Sequence, residues 1–290
     1  MNKTAIITGA SSGFGMLATV ELAKKGFSVI ATMRNMQNKD TIIELCKQES
    51  ITSKISFIQL DVTDQQSIEH FSSQLSQLSS INVLINNAGF AFGGFCEETS
   101  ILEYKEQFNT NFFGLIEVTQ AVLPYMRKQR RGKIINISSI SGKMGFPGLS
   151  PYVASKHALE GWSECLRLEV KPFGIDVALI EPGSYKTNIW TKGKRIAKNS
   201  MLDTSPYSFY LKAIEKELES GTSNYGNPQD VAQLIVDLCS RKELSKLRYP
   251  IGKGVKASLI MKNMIPWKVW EKIFHKKLNV GGIGRDNYIQ

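Results

Sequence analysis

Hydrophobic residues along the chain fall alternately into short β-branched runs and longer stretches with a helical period. The short runs predict strands at 3–8, 27–33, 54–60, 81–86, 133–138, 175–180 and 247–251. The longer stretches predict helices at 13–25, 38–49, 64–78, 101–130, 151–173 and 227–241. Residues 83–85 and 133–137 are largely apolar without strict alternation, which is typical of parallel strands that are covered on both faces.

This alternation of strands and helices predicts an α/β fold with a doubly wound parallel sheet of the Rossmann type, wound by right-handed crossovers. No internal repeat or low-complexity linker divides the chain in two. We therefore expect a single domain over residues 1–252, interrupted by a long insertion at 184–226, and a C-terminal helical extension over 253–290.

Two of the predicted helices begin with capping signals. Ser100, followed three residues later by Glu103, predicts a capping box at the start of the helix over 101–130. Ser150 and Pro151 predict an N-cap and a proline at the first helical position of the helix over 151–173. The second helix matters for function because it carries the candidate catalytic side chains.

The composition of the 290-residue chain is that of a globular protein, with 42% hydrophobic and 21% charged residues. It excludes a disordered, collagen-like or disulfide-scaffold protein. Apolar runs fall short of the roughly 18 residues of a membrane span, and the first predicted strand starts too early for a signal peptide. The four scattered cysteines lack metal-ligand spacing, so we expect reduced thiols, no bound metal and a cytoplasmic location.

The net charge of +10 is concentrated at the C-terminal end. Residues 241–290 contain twelve lysines and arginines but three acidic residues, which leaves residues 1–240 nearly neutral. A protein that coats nucleic acid would carry basic side chains throughout its fold. We therefore expect no nucleic-acid partner.

A glycine-rich loop follows the first predicted strand. Its spacing, Gly-x3-Gly-x-Gly, leads into the first predicted helix, where backbone amides and the positive end of the helix dipole favour a pyrophosphate. A tight strand-to-helix turn without a ligand is the alternative, because glycine also serves such turns. The residues that would contact a dinucleotide here are Gly9, Ser11, Ser12, Gly13, Phe14 and Gly15.

The ends of the second and third predicted strands would meet the adenosine half of a dinucleotide. An NAD-binding protein carries an acidic residue after the second strand, whereas this chain has Met33 followed by Arg34. A guanidinium binds a 2′-phosphate through two charge-assisted hydrogen bonds, so Arg34 favours NADP(H), with NAD as the second option. The alternative is a solvated surface arginine. Asp61 could accept a hydrogen bond from adenine or could cap the next helix.

Tyr152 and Lys156 lie four residues apart, on one face of the helix predicted over 151–173. A free phenol has a pKa near ~10, and a neighbouring ammonium favours the phenolate and lowers that pKa. The pair could therefore exchange a proton with a carbonyl or alcohol oxygen. Ser139 ends the fifth predicted strand, where its hydroxyl could hold the same oxygen as charge develops. In isolation, a Tyr-x3-Lys pair is usually a surface contact.

Together these motifs resemble those of the short-chain dehydrogenase/reductase family over about residues 3–252. The motifs that carry the resemblance are Thr8-Gly9-x3-Gly13-x-Gly15, Asn86-Asn-Ala-Gly89, Tyr152-Val-Ala-Ser-Lys156, and Ser139 thirteen residues before Tyr152. Asn111 falls where the family places the asparagine of a catalytic tetrad. The stretch from Pro182 and Gly183 to Thr187 resembles the one that grips the nicotinamide half of the cofactor.

The resemblance implies hydride transfer between nicotinamide and a carbonyl or alcohol carbon of a small-molecule substrate. Tyr152 would exchange the proton, Lys156 would bind the nicotinamide ribose and depress the pKa of Tyr152, and Ser139 would orient the substrate oxygen. Asn111 would help to hold a water that relays protons to Lys156, a role that rests on the resemblance alone. Besides the glycine loop, the cofactor would contact Arg34, Asp61, Asn87, Ala88, Gly89, Tyr152, Lys156, Pro182, Gly183 and Thr187.

The insertion at 184–226 bears on the substrate. Its apolar side chains could wall a pocket as a mobile lid or could serve ordinary packing; they include Tyr185, Ile189, Trp190, Tyr207, Phe209 and Tyr210. The stretch over 248–252 and the tail after it resemble the branch of the family that contains hydroxysteroid and retinol dehydrogenases. We therefore expect a lipophilic substrate similar to a steroid, a retinoid or a fatty aldehyde.

The tail over 267–278 has the pattern of a basic amphipathic helix. Its apolar positions at helical spacing are Trp267, Trp270, Ile273 and Phe274, and lysines repeat every four residues on another face, at Lys268, Lys272 and Lys276. Such a helix could make peripheral contact with an anionic membrane, cover the pocket, or pack against a second subunit.

Two further expectations concern the protein as a whole. We expect a homo-oligomer. The alternative to an enzyme is a non-catalytic nucleotide-sensing or membrane-peripheral interaction protein on the same fold. Such a protein could dispense with its proton donor, yet all four candidate catalytic residues are present, which favours the enzyme.

Overall fold

Parallel strands form the central sheet of the protein. The computed structural model describes residues 3–187, 189, 193–221 and 225–278. Its strands are β1 (Thr4–Ile7), β2 (Ser28–Met33), β3 (Ile55–Gln59), β4 (Val83–Asn86), β5 (Ala91–Gly93), β6 (Gly132–Ile137), β7 (Ile175–Pro182), β8 (Lys194–Ile196) and β9 (Arg248–Ile251). The large sheet has the order β3-β2-β1-β4-β6-β7-β9, and β5 pairs with β8 in a small sheet. The strand order reverses between β1 and β4, where a crevice opens at the carboxyl ends of the strands.

Helices cover both faces of this sheet. They are α1 (Gly13–Lys24), α2 (Asp40–Gln48), α3 (Gln65–Leu75), α4 (Ile101–Phe108), α5 (Gly114–Gln129), α6 (Ser150–Val170), α7 (Ser208–Gly221), α8 (Pro228–Ser240), α9 (Val255–Met264) and α10 (Trp267–Lys277). Ala5 and Ile7 of β1 join the core beneath α1, α2 and α8, whereas Ile6 joins the core beneath α3, α5 and α6. This division follows from the two-residue period of a strand, and it confirms the predicted doubly wound α/β fold.

The predicted strands and helices are confirmed, with their ends shifted by a few residues. The helix predicted over 101–130 is divided by a π-helical turn at Asn109–Phe113, a feature that often marks functional sites. β5, β8 and α7 were not predicted, because strands of three residues are too short to show a period and α7 lies in the predicted insertion.

The two capping predictions have different outcomes. The capping box of Ser100 and Glu103 is present at the start of α4. The N-cap prediction for Ser150 is wrong, since α6 begins at Ser150 itself and its N-cap is Leu149. The Ser150 hydroxyl instead pairs with the hydroxyl of Tyr104 at 2.6 Å, which connects α6 to α4.

The C-terminal extension folds into α9 and α10 within its described residues, 253–278. Residues 279–290 and Trp190 lie outside the described residues, so the expectations that involve them are not tested. Within the described ranges, no helix combines the length and the apolar character needed to cross a membrane.

Candidate active site

A cleft of about 610 Å³, here called the main cleft, lies at the carboxyl ends of the central strands. The predicted site residues that line it are Gly9, Ser11, Ser12, Gly13, Phe14, Arg34, Asp61, Asn87, Ala88, Gly89, Asn111, Ser139, Tyr152, Lys156, Pro182, Gly183 and Thr187. Gly15 is not part of this lining. It lies beneath the glycine loop, where a Cβ atom would come within 2.6 Å of the Gly9 carbonyl oxygen. Close packing thus requires glycine here, and contact of Gly15 with a cofactor stays a prediction.

The glycine loop is held against the turn that follows β4. Gly9 adopts a φ of +65°, and a Cβ atom there would lie 2.7 Å from Cα of Ala88. The Thr8 hydroxyl accepts the backbone N–H groups of Asn87 and Ala88, each at 3.0 Å. The Asn87 amide donates in return to the carbonyl oxygens of Thr8 and Gly9. The turn after β4 therefore positions the loop.

The start of α1 can receive an anion. Ser12 occupies the N-cap in an extended conformation, and its side chain makes no capping hydrogen bond among the described residues. The first turn of α1 contains no acidic residue. Its backbone N–H groups are therefore available to a pyrophosphate, which the helix dipole also favours.

Arg34 and Asp61 lie at the end of the main cleft that β2 and β3 form. Arg34 is exposed, and its main-chain oxygen accepts a hydrogen bond from the Gln59 amide at 3.2 Å. Asp61 accepts hydrogen bonds from the backbone N–H and the hydroxyl of Thr63, at 3.0 and 2.7 Å. The N-cap of α3 is Asp64, so the alternative that Asp61 caps this helix is wrong.

Ser139, Tyr152 and Lys156 meet in the main cleft, and each is more than nine-tenths buried. The side chain of Ser139 hydrogen-bonds to that of Tyr152 and accepts the backbone N–H of Ser141 at 3.0 Å. Lys156 Nζ donates to the main-chain oxygen of Ile137 at 2.7 Å and lies 5.8 Å from the centroid of the Tyr152 ring. The helix α6 and the end of β6 therefore bring together the three groups that the sequence predicts to act together.

Burial dominates the proton affinities of Tyr152 and Lys156. It raises the pKa of Tyr152 to about 12, and the hydrogen bond with Ser139 opposes the shift only in part. It lowers the pKa of Lys156 to about 8, against the opposing effect of the Glu160 carboxylate. The expected depression of the Tyr152 pKa by Lys156 is therefore wrong for this structure, because desolvation by burial dominates the shift and the opposing contribution comes from Ser139 and not from Lys156. Tyr152 is a protonated phenol at neutral pH.

Asn111 lies in the π-helical turn and is 1% exposed. Its side-chain oxygen accepts the backbone N–H of Phe90 at 3.1 Å, and its side-chain nitrogen donates to the carbonyl oxygen of Phe90 at 3.0 Å. The same nitrogen lies 3.4 Å from the Ser155 hydroxyl. The amide thus fixes the chain that leads into β5, and its part in a proton relay stays a prediction.

A buried network of carboxylates lies behind Lys156. Ser138 donates a hydrogen bond of 2.6 Å to Glu160, and Arg248 Nε donates to the other oxygen of Glu160 at 2.8 Å. Glu181, 3.4 Å from the same Arg248 nitrogen, is 1% exposed. Burial raises the pKa of Glu181 to about 7, and repulsion from Glu160 adds to the shift. Ser138, the residue directly before Ser139, therefore has a structural partner.

A second cavity of about 380 Å³, here called the apolar cavity, adjoins the main cleft and shares Ser139 and Gly183 with it. Its lining comes from β5 and the residues after it, from β8, from the loop before α6 and from α7, α9 and α10. It includes Phe95, Met144, Phe146, Leu211, Ile214, Met261, Trp270, Ile273 and Phe274. The two volumes therefore meet at the candidate catalytic serine.

The helix α10 forms one wall of the apolar cavity. Trp270 is 5% exposed, and its ring packs edge-on to that of Phe274, with centroids 5.2 Å apart. Phe274 in turn packs edge-on to Phe146 at 5.8 Å. Of the three alternatives for the tail, the structure thus favours the one in which the helix covers the pocket.

Aromatic residues of the insertion pack against the body of the protein. The rings of Tyr207 and Tyr210 stack on that of Phe95, with centroids 4.4 and 5.6 Å apart. Tyr185 packs edge-on to Phe14 of the glycine loop at 5.5 Å. Ordinary packing therefore accounts for these rings, while the helix α7 supplies the aliphatic lining of the apolar cavity.

Sequence reasoning missed an ion pair at the main cleft. Arg195 of β8 pairs with Glu106 of α4 and lies over the Phe90 ring, 4.7 Å from its centroid. Arg195 and Glu106 line the main cleft. They are far apart in the sequence, and β8 is too short to leave a periodic signal, so the sequence contained no pattern that could have identified them.

Known proteins resemble this chain over most of its length. The sequence profile of the family described as short chain dehydrogenase matches residues 3–196. An uncharacterized oxidoreductase of Bacillus subtilis, YusZ, is 50% identical over 276 residues, which cover 95% of this chain and 98% of that protein. The 3-ketodihydrosphingosine reductase of Bacteroides thetaiotaomicron is 41% identical, with 82% and 83% covered. Retinol dehydrogenase 8 of Homo sapiens is 37% identical, with 82% and 78% covered.

Solved structures share the fold. The crystal structure of a short-chain dehydrogenase from Streptomyces avermitilis matches with a TM-score of 0.79 and 31% identity, covering 97% of this chain and 98% of that chain. The structure of ElxO with NADP bound matches with a TM-score of 0.72 and 28% identity, covering 89% of this chain and all of that chain. The chain belongs to the short-chain dehydrogenase/reductase family of oxidoreductases, which act on CH–OH groups with NAD(P), and has retinol-dehydrogenase-like relatives.

Proposed function

We propose that the protein reduces the carbonyl group of a lipophilic substrate with NADPH and oxidises the corresponding alcohol in the reverse direction. The observation that carries this proposal is the position of Ser139. Its side chain hydrogen-bonds to Tyr152 and lines both the main cleft and the apolar cavity. A substrate oxygen held at Ser139 would face the cofactor in the cleft, while the apolar part of the substrate extends into the cavity.

The main cleft suits a dinucleotide cofactor. The start of α1 would hold the pyrophosphate, Asp61 the adenine, and Lys156 the nicotinamide ribose. Arg34 supports a preference for NADP(H), because its exposed guanidinium at the cleft rim suits a 2′-phosphate, and the related ElxO structure contains NADP. When bound, the reduced nicotinamide supplies the hydride.

Tyr152 supplies the proton in the direction of reduction. Burial keeps its phenol protonated at neutral pH, and the alkoxide that forms on hydride addition is a much stronger base than a phenolate. The proton therefore passes from the Tyr152 oxygen to the new alkoxide oxygen. The Ser139 hydroxyl donates a hydrogen bond to that oxygen as its negative charge develops, and the ammonium of Lys156 stabilises the phenolate that remains.

The shape and lining of the apolar cavity support a lipophilic substrate. Its wall is formed by aliphatic and aromatic side chains, with Lys194, Glu217 and Lys277 as the charged residues among its described lining. Two relatives have names that refer to lipophilic substrates, a 3-ketodihydrosphingosine reductase and a retinol dehydrogenase. A hydrocarbon chain or ring system would remove this apolar surface from water.

A panel of carbonyls and alcohols, followed by nicotinamide absorbance with each coenzyme, tests the proposal. Steroids, retinoids and fatty aldehydes should be turned over with NADPH, and small sugars should not. Ile214→Trp, which fills the apolar cavity, should raise KM for a long-chain carbonyl but not for a short one. Leu168→Trp, at a position that is 78% exposed, is the matched control. Preferred turnover of sugars, or an Ile214→Trp variant with unchanged KM for long chains, would contradict the proposal.

A further inference from the structure

We infer that the exposed sides of α9 and α10, with the turn between them, dock the protein on an anionic lipid surface. This surface, here called the docking face, consists of Ile260, Met264 and Trp267 as its apolar part and of Lys256, Lys262, Lys268, Lys272 and Lys276 as its basic part. Docking does not depend on the reaction. Delivery of substrate from the lipid to the apolar cavity is a second claim, and it rests on the proposed function.

The apolar part of the docking face is exposed where two helices meet. Ile260, Met264 and Trp267 are 60%, 77% and 58% exposed. Ile260 and Met264 lie four residues apart on α9, and Trp267 begins α10 directly after the turn. A cluster of large exposed apolar side chains indicates an interaction site, whereas single exposed apolar side chains are ordinary. A tryptophan at the edge of an apolar patch also suits a membrane interface.

The basic part lies on the same two helices as this apolar patch. Residues 253–278 contain seven lysines and a single acidic residue, Glu271. Lys268, Lys272 and Lys276 repeat every four residues and are all exposed, so they form one stripe along α10. Lys262 lies over the Trp267 ring, 4.7 Å from its centroid, which places a cation directly beside the apolar patch. An anionic lipid surface is complementary to this combination.

A second copy of the chain fits the docking face less well. Lysine is depleted in the cores of protein interfaces, and two such faces would bring like charges together. Apolar side chains with lysines on the same helices instead suit a bilayer, into which the apolar tips insert while the ammonium groups remain at the level of the headgroups. The charge pattern therefore favours lipid over self-association.

The buried aromatic residues limit the depth of this contact. Trp270 and Phe274 lie on the face of α10 that packs over the apolar cavity. These side chains are therefore not available to a membrane. A membrane contact through the full set of apolar positions predicted for the tail helix would need both of them. The contact is made by the docking face without Trp270 and Phe274, which predicts shallow, reversible and salt-sensitive binding.

The docking face also borders the apolar cavity. Met261 and Ile273 line the cavity, yet they are 39% and 38% exposed. The same two helices therefore contribute side chains to the cavity wall and to the outer surface. A lipophilic molecule that leaves the lipid at this face would have a short path to the cavity.

Vesicle sedimentation tests the docking claim, with phosphatidylcholine vesicles that contain or lack phosphatidylglycerol. The protein should bind the anionic vesicles and be released by high salt. Replacing two lysines in K268E/K272E should weaken this binding by about thirtyfold or more, since each lysine near the surface contributes about a factor of five. M264D/W267D should weaken it at every salt concentration. The matched control, K128E/R131E, changes the charge equally at exposed positions at the end of α5 and directly before β6, and it should bind like the unmodified protein.

Several results would overturn the docking claim. They are the absence of binding to anionic vesicles, equal loss of binding in the control, and retained binding in both docking variants. A change of oligomeric state in M264D/W267D without any vesicle binding would assign the face to self-association instead. Since the replaced residues are exposed and lie outside both cavities, thermal unfolding should show that the variants are folded.

Activity measurements separate docking, delivery and the proposed reaction. The docking variants should reduce a short, water-soluble aldehyde at the rate of the unmodified protein but should reduce a long-chain carbonyl held in vesicles more slowly. Equal rates on the vesicle-borne substrate would overturn delivery and leave docking intact. Failure of the unmodified protein to reduce any carbonyl would overturn the proposed function without affecting the binding result.

Discussion

Lys156 donates a hydrogen bond of 2.7 Å from Nζ to the main-chain oxygen of Ile137. This contact joins α6 to the end of β6, two residues before Ser139. Because Tyr152 lies one turn before Lys156 on the same helix, a single helix–strand contact sets the relative positions of all three candidate catalytic groups. It also leaves Nζ 5.8 Å from the centroid of the Tyr152 ring.

The lowered pKa of Lys156 predicts the pH dependence of carbonyl reduction. With a pKa of about 8, Lys156 is charged below this pH and neutral above it. If its charge stabilises the phenolate of Tyr152, kcat for reduction should fall as the pH rises through about 8. Lys156→Met should lower kcat by about 10²–10⁴-fold and abolish this step. Lys156→Arg, which keeps the charge, should move the step to higher pH, and an unchanged profile in both variants would contradict the assignment.

The two adjacent serines should behave differently on replacement. Ser139→Ala removes a donor to the developing oxyanion and should lower kcat by about 10²–10³-fold, with a small effect on coenzyme affinity. Ser138→Ala removes one of the two hydrogen-bond partners of buried Glu160 and should lower the free energy of unfolding by about 1–3 kcal/mol, with kcat nearly unchanged. Steady-state kinetics and denaturant unfolding of both variants measure this contrast. A large loss of kcat in Ser138→Ala, with a loss of stability alone in Ser139→Ala, would show that Ser139 is not the serine of the reaction.

Arg34 should determine the choice of coenzyme. Its replacement by alanine removes charge-assisted hydrogen bonds to the 2′-phosphate and should weaken NADPH binding by about 10–100-fold. NADH binding should change little, because NADH lacks that phosphate. Fluorescence titration of both coenzymes with the unmodified protein and with the variant makes the comparison. A preference of the unmodified protein for NADH would show that the assignment is wrong.

Glu181 should limit stability above neutral pH. Its pKa is raised from 4.5 to about 7 in the folded chain, so the folded state binds a proton that the unfolded state releases between these values. The carboxyl therefore destabilises the fold progressively as the pH rises from about 4.5 to about 7. Glu181→Gln should increase the free energy of unfolding by about 1–3 kcal/mol at pH 8 and by little at pH 4. Denaturant unfolding at both pH values provides the test, and an equal effect at both would contradict it.

Much of the fold and the main cleft could be predicted from local patterns. The strands show as apolar runs, and the glycine loop and the Tyr-x3-Lys pair are short motifs whose geometry follows from one turn or one helix. Gly15 shows the limit of such motifs, since a motif position indicates that glycine is required but does not distinguish ligand contact from close packing.

Features that depend on distant pairs could not be predicted. Arg248 and Glu160 are 88 residues apart in the sequence, and nothing local to either residue indicates the other. The position of α10 as a wall of the apolar cavity could not be predicted either. The amphipathic pattern of this helix is equally compatible with contact to a membrane, a second subunit or a pocket. The charge of Lys156 is visible in the sequence, whereas the burial of Tyr152 is not, and burial reverses the expected direction of the Tyr152 pKa shift.

The most direct test of the central claim is the NADPH-dependent reduction of a long-chain carbonyl by the unmodified protein and by Tyr152→Phe. The phenylalanine ring keeps the packing of a side chain that is 4% exposed but removes the proton. We predict turnover by the unmodified protein, loss of nearly all turnover in the variant, and similar NADPH affinity in both. Undiminished turnover by Tyr152→Phe would show that the phenol is not the proton donor and would contradict the account.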